Sequence, residues 1–251
     1  MINKMTNKIV TLVTGGNRGM GLALIKALHA QGQQLIMGSR DLAKGRAAVE
    51  AAHLSDVTVV PLDVTDSQSI QTAVNAIQNQ YGQLDILINN AGAAFDHHQQ
   101  PSVIKLATIQ ADLDLNFLGT VAMTQACLPL LTKTSPSKII NISSMMGSLT
   151  NALDPQSSVY HASAIGYQAS KAALNMFTIQ LAKELQTTNI TVNAVDPGMV
   201  ATEFGGITPE LATQHGAKSI AHGIQRTIEL ATYPDNTTTG TFSNTDGPVA
   251  W

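Results

Sequence analysis

The chain opens with a short apolar run that stops at glycine, followed by a stretch of helical length. This alternation then repeats and limits the fold more than any other feature. Lys8 to Thr14 contains Ile9, Val10, Leu12 and Val13 and ends at Gly15-Gly16. An apolar run this short, bounded by glycine, reads as a strand buried on both faces. Gly21 to Ala30 reads as a helix, with Leu22, Ile25 and Leu28 at core spacing. Strands are expected again at Gln34 to Gly38, Val57 to Leu62, Leu84 to Asn89, Lys138 to Ile142 and Ile190 to Val195. Helices are expected at Leu42 to His53, Ser67 to Tyr81, Thr108 to Leu131 and Gln168 to Leu185.

Strands alternating with helices of this length imply right-handed βαβ units. The expectation is one α/β domain over 1–251, doubly wound, with a parallel sheet flanked by helices on both faces. Two stretches break the rhythm, at about 148–166 and 198–222, and both are candidate substrate loops. With 251 residues and 44% hydrophobic content, the chain can bury a sizeable core. Its 14 Lys and Arg against 17 Asp and Glu give a net charge of −3, which offers nothing to a phosphate backbone, so no nucleic-acid partner is expected. Cys127 is the one cysteine, which fits a reducing cytoplasm. No window approaches the roughly 18 apolar residues that span a bilayer, so no membrane partner is expected.

Thr14-Gly15-Gly16-Asn17-Arg18-Gly19-Met20-Gly21 lies between the first strand and the first helix. Glycines there permit a tight turn and close approach of a phosphate to backbone N–H groups, at the positive end of a helix. The spacing is T-G-x-x-x-G-x-G. Further on come Asn89-Asn90-Ala91-Gly92, Asn116, Asn141-Ile142-Ser143-Ser144, Tyr167-Gln168-Ala169-Ser170-Lys171 and Pro197-Gly198, with Thr202 beyond. In this order the motifs resemble those of the short-chain dehydrogenase/reductase family, almost from end to end. The resemblance implies a Rossmann-type domain that binds a nicotinamide dinucleotide.

Cofactor choice is argued from charge. An acid at the end of the second strand marks NAD, and cations there mark the 2′-phosphate of NADP. Ser39 stands at the acid's place, Arg40 follows, and Arg18 lies in the glycine turn. Two guanidinium groups near one phosphate favour NADPH/NADP+. Asp41 falls 20 residues after Gly21, near the spacing of an NAD-type acid. It is read instead as the cap of the next helix. The resemblance implies that Asp63 and Val64 meet the adenine and that Asn90, Ala91 and Gly92 line the adenosine half. Pro197, Gly198, Val200 and Thr202 would then fix the carboxamide end of the nicotinamide.

Hydride delivery to a ketone builds negative charge on oxygen, which calls for a proton and hydrogen-bond donors. Tyr167 and Lys171 are four apart on an expected helix and share a face. An ammonium beside a tyrosine stabilises the phenolate. The resemblance implies that Tyr167 donates the proton, Ser144 polarises the oxygen and Lys171 also holds the nicotinamide ribose. Asn116 would hold a water that links Lys171 to solvent. Ser143 is expected to make structural hydrogen bonds. Tyr160-His161-Ala162-Ser163-Ala164 has alanine where the lysine belongs, so Tyr160 is not the acid.

Ser144 and Tyr167 lie 23 positions apart, more than in most of the family. The extra residues fall within Asn151 to Gly166. Carbonyl reductases of the mammalian type and plant menthone reductases carry longer insertions there. The G-G-N-R-G turn and the run Asp246-Gly247-Pro248-Val249-Ala250-Trp251 also resemble that branch. Such an insertion can cover a face used for association, so a dimer, a tetramer and a monomer all stay open. Asp96-His97-His98 is expected to be a solvated loop, with no metal. Met145 and Met146 stand as pocket wall or core filler. Phe95, Tyr160, Phe204 and Trp251 are candidate apolar contacts for a substrate.

The expectation is a cytoplasmic NADPH-dependent reductase of ketones or aldehydes. An NAD(P)-dependent alcohol dehydrogenase working oxidatively, and a dinucleotide sensor without turnover, are the alternatives.

Overall fold

The structure, a computed structural model, describes residues 8–96, 99–234 and 237–251. Its first strand, β1 (Val10–Thr14), is buried at all five positions. It pairs in parallel with β2 (Gln34–Ser39) on one side and β4 (Ile86–Asn89) on the other. The outer neighbour of β2 is β3 (Thr58–Pro61). On the β4 side follow β5 (Ser137–Ile142), β6 (Ile190–Val195) and β7 (Phe242–Asn244), all parallel. The hairpin partner of β7, β8 (Gly247–Pro248), is antiparallel. Among the described residues the order is β3-β2-β1-β4-β5-β6-β7-β8. The chain changes winding direction between β1 and β4, where doubly wound sheets open a ligand crevice beyond the strands' carboxyl ends.

Successive residues of one strand feed opposite layers, so β1 needs apolar side chains on both faces. Leu12 joins Ile36, Leu87 and Ile139 on one face. That face is covered by α3 (Ser67–Tyr81), α5 (Gly119–Leu131) and α7 (Ile165–Glu184). Val13 joins Leu35, Met37 and Ile88 on the other. There the cover is α1 (Gly19–His29), α2 (Leu42–Ala51) and α9 (Ile220–Thr232). The result is the expected α/β sheet with helices on both faces.

The structure departs from the expected elements in several places. The helix expected over Thr108 to Leu131 is instead α4 (Leu106–Leu113), a π-helical turn at Asp114–Leu118, and α5. A π turn adds a residue without breaking the helix, and an apolar run hides it. Gly119 then packs so tightly on Val64 that a Cβ would stand 2.9 Å from its carbonyl oxygen. Secondly, α7 starts at Ile165 rather than Gln168, which places Tyr167 inside the first turn. Thirdly, the two irregular stretches hold short helices, α6 (Leu149–Leu153) and α8 (Pro209–Gln214), capped by Ser148 and Thr208. Helix α9 had a signal in Ile220, Ile224 and Ile228, which recur every fourth residue. The two- and three-residue strands β7 and β8 are too short to show a period.

Candidate active site

The glycine turn hangs from the end of β1. Thr14 Oγ1 accepts from the backbone N–H of Asn90 at 3.0 Å and of Ala91 at 2.9 Å. Asn90 Nδ2 donates to the carbonyls of Thr14 at 2.9 Å and Gly15 at 3.2 Å. Asn90 and Ala91 therefore brace the turn from β4. At Gly21 a Cβ would lie 2.3 Å from the Gly15 carbonyl oxygen and 2.7 Å from Asn90 Nδ2, so only glycine fits. Gly15 adopts φ 64°, in the left-handed region. Helices α2 and α3 are capped by the side chains of Asp41 and Asp66. No side chain among the described residues caps α1. Its first amides, at the positive end of the helix dipole, are therefore left by side chains for an anion to take. A dinucleotide pyrophosphate fits this cradle.

The residues expected around the adenosine spread differently. Asn17 and Met20 are half-buried, and Met20 packs against the α1 core. Ser39 is buried, and its hydroxyl donates to the Asp41 carbonyl at 2.7 Å. Arg40 is exposed at the strand end. Val64 is buried. Burial alone would push the Asp63 carboxyl up. Thr65 donates to it from N and Oγ1, and the Arg40 charge adds to this, so it lies below the usual carboxylate range. Arg18 is exposed and pairs with Glu203 at 2.5 Å.

The chemical end draws on β5, α7, the π turn and the segment after β6. Ser143 Oγ donates to Asn175 Oδ1 at 2.5 Å, a structural bond. Ser144, extended at φ −160°, accepts from Met146 N at 3.2 Å, and its hydroxyl acts on the Tyr167 phenol. Tyr167 is 8% exposed, with the Phe204 ring edge-on at 5.6 Å. Burial pushes its phenol up; the Ser144 hydroxyl opposes this, while the charges of Asp196 and Asp112 add to it. Lys171 Nζ lies 5.6 Å from the Tyr167 ring centroid and donates to the Ile142 carbonyl at 2.8 Å. Burial pulls its ammonium down to about 8, against the opposing charge of Asp112.

Asn116 sits in the π turn, buried. Its amide accepts from Ala93 N at 3.0 Å and donates to the Ala93 carbonyl at 2.8 Å and Ser170 Oγ at 3.1 Å. A Cβ at Gly92 would fall 2.9 Å from Asn116 Oδ1 and 3.7 Å from Lys171 Nζ. Glycine thus lets the end of β4 approach both residues. After β6, Asp196 Oδ1 accepts from Met145 N at 3.0 Å and Gly198 N at 3.2 Å. Pro197 is half-buried and Gly198 exposed, while Val200 is buried against Gly223. The Thr202 methyl lies 3.6 Å from a Cβ built on Gly19, so this segment reaches back over the glycine turn.

The family model described as "short chain dehydrogenase" matches residues 9–210. The chain belongs to the short-chain dehydrogenase family. A "short-chain dehydrogenase/reductase" of Aspergillus fumigatus is 34% identical over 236 residues, covering 88% of this chain and 89% of that one. The mouse "L-fucose dehydrogenase" is 33% identical over 204 residues, covering 80% and 68%. A crystal structure of NADPH-bound carbonyl reductase from chicken fatty liver superimposes with TM-score 0.83 at 27% identity, over 97% of this chain and all of that one. This short-chain dehydrogenase is therefore an oxidoreductase of a family that uses NAD(P) and acts on small molecules. No described helix is long and apolar enough to cross a membrane.

Other residues singled out in this short-chain dehydrogenase lie apart from the pair. Tyr160 is 40% exposed and meets His161 edge-on. Trp251 packs on Phe242 at 5.4 Å beside Met145, in a small apolar cluster under β7. His97 and His98 lie outside the described residues. No metal-ligand cluster occurs among the described residues. Asp96 overturns the expectation of a solvated loop, because it is buried and accepts backbone N–H groups. Asp112 and Asp196 belong to no motif; only their place in otherwise apolar surroundings could have drawn notice.

Proposed function

We propose that the protein is an NADPH-dependent carbonyl reductase of ketones or aldehydes. The observation that carries the reading is one cluster: buried Tyr167 with the Ser144 hydroxyl acting on its phenol and buried Lys171 5.6 Å from its ring, on the same sheet edge as the glycine turn. NADPH supplies the hydride and, once oxidised, a positive nicotinamide. Ser144 and Tyr167 donate hydrogen bonds to the substrate oxygen as it gains charge. Tyr167 passes its proton to that oxygen and is left as phenolate. The Lys171 ammonium stabilises the phenolate and so lowers the cost of proton transfer. Asn116 joins the end of β4 to α7, and a water beside it would connect Lys171 to solvent.

The choice of NADPH rests on Arg40 and Arg18 and on Ser39, which brings no carboxylate to the end of β2. The chicken carbonyl reductase, bound to NADPH, supports it. Under this reading residues 1–251 act as one catalytic unit in the cytoplasm, and 148–166 and 198–222 shape the substrate site.

Likeness to a mouse L-fucose dehydrogenase favours a second reading, oxidation of a sugar or alcohol by the same groups in reverse. The test follows nicotinamide absorbance with NADPH and NADH against ketones, aldehydes, α-diketones and quinones, and with NAD+ and NADP+ against alcohols and sugars. NADPH-preferring reduction of a carbonyl is expected. Turnover confined to NAD+ and a sugar would replace the first reading with the second.

A further inference from the structure

The helix that carries Tyr167 and Lys171 starts without a cap of its own, since its N-cap residue is Ala164. Two carboxylates reach its first turn from elsewhere. Asp96, in the loop after β4, is buried; its Oδ2 accepts from Gly166 N at 3.1 Å and its Oδ1 from Gln99 N at 3.2 Å. Asp112, near the end of α4, is fully buried, and its Oδ1 accepts from Phe95 N at 3.1 Å. Its Oδ2 lies so close to Gly166 that a Cβ there would stand 2.6 Å away. Gly166, the residue before Tyr167, is thus held between two acids from separate segments. Negative charge at a helix N-terminus is favourable, which accounts for part of the cost of burying them.

We propose that Asp112, seated with Asp96 around Gly166, is a positioning residue for the Tyr167–Lys171 pair. It fixes the first turn of α7 against α4 and keeps a negative charge beside both groups. The kinetic side of this inference rests on the reductase reading.

The charges that face the pair are Asp112 from α4 and Asp196 after β6, with Asp96 at Gly166. Asp112 acts on both members in one direction. It disfavours the Tyr167 phenolate and favours the Lys171 ammonium. Reduction needs Tyr167 with its proton and Lys171 charged. Removal of the Asp112 charge therefore lets both protons leave at lower pH, and the two effects add.

The experiment measures thermal unfolding from pH 6 to 10.5 for the parent and for Asp112→Asn, each with and without Lys171→Met. The difference between a protein and its Lys171→Met partner isolates the lysine. In the parent that difference should climb as pH rises through about 8, where Lys171 sheds its buried proton. In the Asp112→Asn background the climb should begin at lower pH. The alkaline limb of reductive kcat/KM should move down by roughly half a pH unit or more. Asp112→Thr, which keeps an acceptor for Phe95 N without charge, serves the same comparison if the asparagine variant does not fold. Superimposable difference curves, with only a uniform loss of Tm, would reduce Asp112 to packing and overturn the proposal. If the curves separate but no carbonyl is turned over, the reductase reading fails and the placement of Asp112 stands. If carbonyls are turned over but the curves coincide, the reverse holds.

Discussion

The two ends of the proposed site are built from different material. The phosphate end is mostly backbone: left-handed glycine at 15, a Gly21 with no room for a side chain, and the uncapped amides of α1. The chemical end is mostly buried side chains, brought from β5, the π turn, α7 and the segment after β6. Binding a phosphate needs N–H groups in fixed directions, which a turn of glycines supplies locally. Moving a proton needs charges at fixed distances in a low dielectric, which takes segments far apart in sequence. Substitutions should therefore separate the two ends, with cofactor binding failing at one and chemistry at the other.

The largest effect should come from Tyr167→Phe. It removes one hydroxyl, on which Ser144 acts, and leaves the packing against Phe204 in place. Turnover should fall by about 10³-fold or more, in the range of a lost general acid. NADPH affinity, followed by nicotinamide fluorescence, should stay within about threefold, since the glycine turn is untouched. Comparable losses in both would mean that the two ends are not separable.

Legibility in the sequence follows the same division. The glycine turn could be read because its backbone constrains residue type, by a left-handed φ at Gly15 and by close approach at Gly21. The strands could be read because burial on both faces forces continuous apolar runs, as at β1 and β5. Tyr167, Lys171 and Ser144 stood in family motifs, and the structure brings them together. The carboxylates that shape their electrostatics could not be read. Asp112 lies in what reads as one long, mostly apolar helix, and Asp96 stood before two histidines in an expected solvated loop. Their effect depends on which Gly166 they meet in space, and no periodicity encodes that. The π turn at Asn116 was hidden for a related reason: its extra residue keeps both sides helical.

A stability measurement sharpens the comparison. Lys171 titrates near 8 in the fold against 10.5 in the unfolded chain. Between those values the unfolded chain holds more protons, so stability from this group rises with pH. Below about pH 8 the buried ammonium costs about 3 kcal/mol, less about 1 kcal/mol returned by its bond to the Ile142 carbonyl. Lys171→Met should thus be inactive yet more stable than the parent by about 1–2 kcal/mol at pH 7, with the gain gone by pH 10.5. A less stable variant at pH 7 would remove the argument that this end is held at a cost to the fold.

At the phosphate end, Arg40→Asp replaces a cation with the type of group that reads a ribose diol. The ratio of kcat/KM for NADPH over NADH should fall by about 10- to 100-fold, from a lost charge-assisted contact and a new repulsion. The Tyr167 chemistry should persist with NADH. An unchanged ratio would show that the 2′-phosphate lies elsewhere.

The smallest effect concerns the point where the two ends touch. Arg18, in the glycine turn, is held at 2.5 Å by Glu203, and Glu203 adjoins Phe204, which lies against Tyr167. An arginine that serves a cofactor phosphate must first leave its carboxylate. Both side chains are about two-thirds exposed, so the pair is worth only about 0.2–1 kcal/mol. Glu203→Gln should therefore tighten NADPH binding by about two- to fivefold in low salt, and the gain should shrink as salt screens the pair. NADH binding should not change, because without a 2′-phosphate nothing competes with Glu203 for Arg18. A gain shared equally by NADPH and NADH would mean that Glu203 acts through the segment over Tyr167, and the two ends would then be coupled where the comparison holds them apart.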